Sequence, residues 1–398
     1  MKKIFESIIK SILMLSSTVT TFTVLLIIVF LFTEGSGLFK QSPVEKGSEI
    51  LVNPANPVNH LTAAQIKEIY DQNITNWKQL GGNNDTIILF AINYISDYFS
   101  EDEIGENFEF LPAKIDSLMM AHPGILAVFS SEYILPDTKA KRVSIDNISL
   151  AGFITGREWF PTAQPAVQLG VLPIILGTLW VSLIAILIAL PIGLATAIYM
   201  AEVANNKMRL ALKPVIELLA GIPSVVYGFF GLIVIVPFIQ KVFSLDTGQT
   251  ALTGSILLAI MALPTIITVS EDAIRATPRV MKEASLALGA NHWQTIVRVI
   301  IPYSSSGIAA AAILGIGRAI GETMAVLMVT GNAAVIPHSL LQPVRTIPAT
   351  IAAELGEAPQ GGIHYQALFA LGCILFLMTM VINLWVQYIS SKRRNAGH

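Results

Sequence analysis

Six apolar stretches of twenty or more residues limit what this chain can become. Inside a hydrocarbon layer every backbone N–H and C=O must be satisfied within the segment, and a helix does this unaided. The stretches run approximately over Ile12–Phe32, Val167–Tyr199, Val215–Gln240, Leu252–Ile274, Tyr303–Thr330 and Tyr365–Ile389. With 53% hydrophobic and 13% charged residues among 398, and a mean hydropathy of +0.65, an ordinary soluble domain is excluded. The expectation is an all-α polytopic membrane protein with six transmembrane helices. Cys373 is the single cysteine and falls in the sixth stretch, so neither an internal disulfide nor a thiolate metal cluster is available.

Basic residues give the chain a direction. Lys2, Lys3 and Lys10 precede the first span, and Lys392, Arg393 and Arg394 follow the last, which predicts that both termini are cytoplasmic. The loops holding Lys207, Arg209 and Lys213, and Arg275, Arg279, Lys282 and Arg298, then fall on the same side. The first apolar run is too long for a cleaved signal, and no A-x-A-like site directly follows it, so it reads as a retained anchor, residues 1–33.

Between the first and second spans lies a polar segment, residues 34–160. It holds 9 Lys or Arg against 17 Asp or Glu, a net −8 in a chain of total charge −2, which leaves +6 for the rest. Such asymmetry suits an acidic outer domain joined to a membrane core with basic inner loops. Thr62 and Gln65 have capping-box spacing ahead of Ile66, Ile69 and Tyr70, while Thr86–Ile92 and Ile125–Phe129 read as buried strands. A small α/β extracytoplasmic insert is expected there, followed by a five-helix core, residues 161–398.

The loop 277–302 carries the sharpest local pattern. Thr277 is placed to cap a helix whose first turn takes Pro278, and Gly289 suits its stop. Asn291 and Gln294 again have capping-box spacing, and Trp293, Ile296, Val297 and Ile300 recur on one helical face as far as Pro302. Two short rods meeting at a glycine can lie on a membrane surface or seat in a partner. The combination Glu283-Ala284-Ser285, Gly289 and the terminal Pro302 resembles the E-A-A loop of ABC importer permeases, whose coupling helices sit in a groove of the ATPase subunit. That resemblance implies ATPase coupling through Glu283, Ala284, Ser285, Gly289, Trp293 and Pro302.

Three further stretches extend the likeness. Gly221-Ile222-Pro223-Ser224 through Gly231-Leu232, the run Gly315–Asn332, and the stretch from Pro337 to Ala358 resemble phosphate-importer permeases of the PstC type. The resemblance implies the type I ABC importer permease fold and an inner-membrane location. It also implies a PstA-type companion permease, an ATPase dimer holding ATP and Mg, and an extracytoplasmic phosphate-binding protein, with no cofactor on this chain and no nucleic acid as partner. The outer run Val52–Val58, then Leu61-Thr62 and Ile74–Gly82, resembles one lobe of phosphate-binding proteins. Where that family places an Arg and a Ser-Gly-Ser-Gly-Thr loop to hold the anion, this chain reads Phe90–Asp97, without glycine or arginine. The lobe is therefore expected not to bind phosphate and to serve as a docking surface or gate, or in assembly alone.

Within the fifth span Arg318 and Glu322 are four residues apart, hence on one helix face if the helix is continuous. A charge at bilayer depth costs roughly 2.5–3.5 kcal/mol on insertion scales, so such residues face a polar path or a structural partner. The expected substrate path is Arg318, whose guanidinium fork suits phosphate, with Glu322 holding it when the path is empty and Thr323 beside them. A purely structural ion pair is the other reading. Gly317 and Gly321, with Ala309–Ala312 and Gly315, offer a narrow packing surface. Glu217 reads as a dipole-compensating residue after Pro214, and His292 as a polar contact to the ATPase. No G-x-x-x-x-G-K-[ST] loop occurs, so the chain is expected not to be an enzyme, with ATP hydrolysis on another subunit. A sulfate or molybdate permease, and a membrane signalling or assembly subunit, remain alternatives.

Overall fold

The computed structural model describes residues 2–44 and 47–395, with side chains described for residues 9–44 and 47–388. The charges at Lys2, Lys3, Lys392, Arg393 and Arg394 therefore lie outside the described side chains. The chain is mostly helical and divides into two compact units. One takes residues up to Gly35, Val171–Gln360 and those from Leu368 onward; the other is Ser36–Gly170 with Gly361–Ala367.

The second unit is built on a five-stranded mixed sheet. Strands β1 (Ser48–Val52), β2 (His60–Leu61), β3 (Ile88–Ala91), β4 (Ile125–Ser130) and β5 (Lys141–Ile145) stand in the order β2-β5-β1-β4-β3. β1 runs antiparallel to β4 and β5, with Leu51 opposite Ala127 and Arg142; β3 is parallel to β4 and β2 to β5. Side chains alternate across a strand, so this sheet feeds two cores. Leu51, Phe90, Ile125, Ala127 and Phe129 meet Leu111, Ile115 and Met119 of the helix Leu111–Ala121. Ile50, Val52, Leu126 and Val143 meet Ile66, Ile69 and Trp77 on the other side. Thr62 and Gln65 form the anticipated capping box, and the Trp77 indole, fully buried, donates to the Gly124 carbonyl at 2.9 Å. A two-stranded pairing, Trp159–Phe160 with Gln168–Leu169, carries this unit to Gly170, ten residues past the boundary read from hydropathy.

Among the described residues, five helices are long and apolar enough to cross a membrane: Ile9–Lys40, Leu172–Val203, Ser224–Phe243, Ala251–Arg275 and Ile363–Tyr388. A sixth arises if the bent pair His292–Tyr303 and Ser305–Gly321, at 69° to each other, is one span. Leu172–Ile198 and Ala251–Arg275 form the centre, where Val181, Ala185, Ala189, Ala259 and Ala262 are buried and a Cβ on Gly193 would come within 2.7 Å of Ile266. Small side chains let the backbones approach, which is how helices gain dispersion contact where lipid offers no hydrophobic drive. Pro191 and Pro264 are both accommodated inside these helices.

Two expected spans are drawn differently. Val215–Gly221 belongs to a separate helix, Asn206–Gly221, capped by Asn205; the chain turns extended at Ile222, the residue before Pro223, and the third span begins at Ser224. The pre-proline clash that disfavours helix at Ile222 explains the break. Glu217 consequently sits late in that helix, exposed, and not in a first turn. The fifth stretch is likewise interrupted: Ser305–Gly321 ends at Glu322, whose ψ of 132° is extended, and Met324–Val329 follows as its own helix.

Candidate functional site

The elbow 277–302 is present as two rods. The first, Arg279–Ala287, starts after Pro278, which occupies the N-cap itself; Thr277 does not cap, and its hydroxyl is buried without a partner. Gly289 adopts φ +84°, with its N–H donating to the Leu286 carbonyl at 2.9 Å, the left-handed stop that glycine permits. Asn291 and Gln294 make the reciprocal cap of the second rod. That rod continues through a π-helical turn, Ile296–Ile300, to Tyr303, so Pro302 lies inside it and the bend comes at Ser304. A widened turn tolerates the missing N–H of Pro302.

The rods present an apolar outer surface. Leu288 is 89% exposed, Val280 74% and Trp293 63%, with Glu283 and Ala284 also open. Ser285 faces inward, its hydroxyl 3.0 Å from that of Thr295. His292 contacts the Glu202 carbonyl at 3.2 Å, so it is held within this chain and does not stand free for a partner. Lys282 and Glu202, 80 positions apart with no local pattern linking them, form an ion pair at 2.5 Å.

Arg318 and Glu322 do not pair. Because the helix ends at Gly321, the shared face is lost: the Glu322 carboxylate accepts from the Thr323 backbone N–H at 3.2 Å, and Arg318 donates from Nη1 to the Thr265 hydroxyl at 3.4 Å. Among the described residues no carboxylate lies within 4.0 Å of the Arg318 guanidinium. It is half-buried, a cation on an apolar helix with one weak neutral partner. Thr323 is half-buried beside Glu322 at the break. Gly317 and Gly321 would meet nothing if given a Cβ, so they are not the tight surface; Gly307, Ala311 and Gly315 are, with a Gly307 Cβ reaching 2.3 Å from Ala273.

Among the described residues of the helical unit, three other ionic contacts were not anticipated. Glu271, 1% exposed, accepts from Arg209 Nε at 2.7 Å and lies 3.6 Å from Arg275 Nη1, four residues on. Arg345 bonds Glu354 at 2.6 Å and the carbonyl and side chain of Asn332 at 3.0 and 3.1 Å, fixing the segment that leads into the helix Ile347–Glu354, whose first turn is buried. In the outer unit, Phe90–Asp97 forms the end of β3, a 3-10 turn and the start of a short helix without a side-chain cap, with Ile92 and Tyr94 exposed.

Residues 189–395 match the family described as binding-protein-dependent transport system inner membrane component, and residues 41–188 match the PBP superfamily domain. A probable ABC transporter permease protein, YqgH, of Bacillus subtilis is 42% identical over 250 residues, which is 63% of this chain and 81% of that protein. The phosphate transport system permease protein PstC of Mesorhizobium japonicum is 40% identical over 256 residues, 60% of this chain and 77% of the relative. Among solved structures, an inward-facing MetNI methionine ABC transporter chain aligns with a TM-score of 0.44 at 18% identity, over 55% of this chain and 93% of the other.

Proposed function

The chain belongs to the family of binding-protein-dependent transport system inner membrane components, and from that premise we propose that it is the PstC-type permease subunit of an ATP-driven phosphate importer. The observation that carries the substrate is the 40% identity to a phosphate permease over 256 residues. With Ser305–Gly321 carrying the sixth crossing, the reading is a six-span type I permease with both termini and the elbow in the cytoplasm and the α/β unit outside. The exposed Leu288, Val280 and Trp293 support seating of the elbow in an ATPase subunit, which holds ATP and Mg. A PstA-type permease, a second ATPase copy and a phosphate-binding protein complete the assembly in the inner membrane.

Arg318 is the substrate-path residue in this reading. A guanidinium without a carboxylate partner is available to a phosphate dianion, and its planar fork offers two parallel hydrogen bonds. Glu322 and Thr323, at the helix break, border the path and do not hold the arginine shut. The open faces of Gly317 and Gly321 suit close approach of the companion permease, which supplies the other wall. The assembled complex in liposomes is expected to take up labelled phosphate only with ATP inside the nucleotide-binding side, unaffected by excess sulfate. Arg318→Gln should abolish uptake while the complex still co-purifies. Uptake retained in that variant removes Arg318 from the path, and competition by sulfate overturns the substrate.

A further inference from the structure

Both rods of the elbow converge on one residue outside it. Glu202 lies in the π-helical turn Tyr199–Val203 that ends the Leu172–Val203 span, and its side chain is only 6% exposed. Its carboxylate receives Lys282 of the first rod, and its backbone carbonyl faces His292 of the second. The rods are tied to each other by the Ser285–Thr295 hydroxyl contact. Beneath them Ile296 and Ile300 are buried against Ala197 of the same span and Ile274 of the Ala251–Arg275 helix. The elbow is therefore a clamped body, gripping the end of a span to which it is not joined in sequence.

We infer that Glu202, through its ion pair with Lys282, is the positioning residue that passes elbow displacement into the Leu172–Val203 span. This inference rests on the importer reading. The chain connects the elbow directly only to the Ala251–Arg275 helix on one side and to Ser305–Gly321 on the other. The Glu202–Lys282 contact adds a third attachment, to the central helix that packs along Ala251–Arg275. Without it, a pull on the rods would be free to shear past the end of that span, because the remaining contacts are an apolar patch with no directional bond and the His292 contact. An ion pair withdrawn from water resists separation far more than an exposed one, since parting it leaves two charges unpaired in a poor solvent. The Arg209–Glu271 pair repeats the arrangement one loop further on, fastening the Asn206–Gly221 helix to Ala251–Arg275.

The test uses the whole complex in liposomes and reads phosphate moved per ATP hydrolysed, a ratio that assembly defects alone do not alter. Glu202→Gln together with Lys282→Met removes both charges and leaves neither stranded, so the chain is expected to fold and assemble. It should lower the ratio about tenfold, within the range of ordinary coupling energies, while ATP hydrolysis persists. The exchanged pair, Glu202→Lys with Lys282→Glu, should restore most of it. A ratio unchanged in the neutral double variant overturns the inference, as does an exchanged pair no better than the neutral one. Wild-type complex that hydrolyses ATP without moving phosphate would count instead against the importer reading itself.

Discussion

Gly289 is the residue on which the elbow turns, and the reason is backbone geometry, not space. A Cβ there would meet nothing, yet φ is +84°. Left-handed backbone costs an L-residue roughly 1–2 kcal/mol, so Gly289→Ala is tolerated with slight loss. Gly289→Pro is different: proline fixes φ near −65° and removes the N–H that bonds Leu286, so the first rod must end elsewhere and Trp293 is re-aimed. The expected outcome is ATP hydrolysis uncoupled from uptake in the proline variant and near-normal coupling in the alanine one. Normal phosphate-to-ATP ratios in the proline variant would show that the elbow is no mechanical joint. The glycine was readable from its place after a helical run, because a stop at C′ is a local property of the chain. The contacts of Lys282 and His292 with Glu202 were not, since nothing local links positions 80 and 90 apart.

At the level of elements, periodicity and capping residues carried the furthest. Asn291 with Gln294, and Thr62 with Gln65, cap as their spacing predicts, and among the described residues five of the six apolar stretches hold a single helix long and apolar enough to cross a membrane. What hydropathy hides is a break inside an apolar run. Pro223 marked one, through its effect on Ile222, but the bend at Glu322 has only Gly321 as a sign and depends on how Met324–Val329 packs beneath Gly228 and Gly231 of the third span. The small-residue surface was read in part: Ala311 and Gly315 belong to it, whereas Gly317 and Gly321 do not and Gly307 does, because tertiary packing selects among small residues that the sequence offers alike. This choice has a measurable consequence. Gly307→Val forces a branched side chain into Ala273, and overpacking of this kind costs about 1–3 kcal/mol. Its unfolding temperature in detergent should fall, whereas Gly317→Val should melt as wild type when this chain is purified alone. In the assembled complex the second substitution is expected to reduce recovery of the companion permease; equal melting of both variants would remove the distinction.

For the molecule as a whole, the outer unit poses the question of why a transport subunit carries a receptor-like fold. The 41–188 match to the PBP superfamily covers most of it, and its sheet is buried on both faces as a self-sufficient core requires. The run Phe90–Asp97 holds no glycine and no arginine. A phosphate site needs convergent N–H groups and hydroxyls at a helix start, whereas after β3 this chain presents Ile92 and Tyr94 to solvent and places Asp97 in the first turn. The segment 34–160 also has a net charge of −8, which repels a dianion at long range. The full chain, purified without its partners and titrated calorimetrically with phosphate, is therefore expected to give no micromolar binding event attributable to this unit. Such an event, surviving in Arg318→Gln and lost when Phe90–Asp97 is replaced by a Gly-Ser linker, would establish the outer unit as a working receptor. Its absence would accord with the expectation that the unit does not bind phosphate and acts as a docking surface or gate, or in assembly alone.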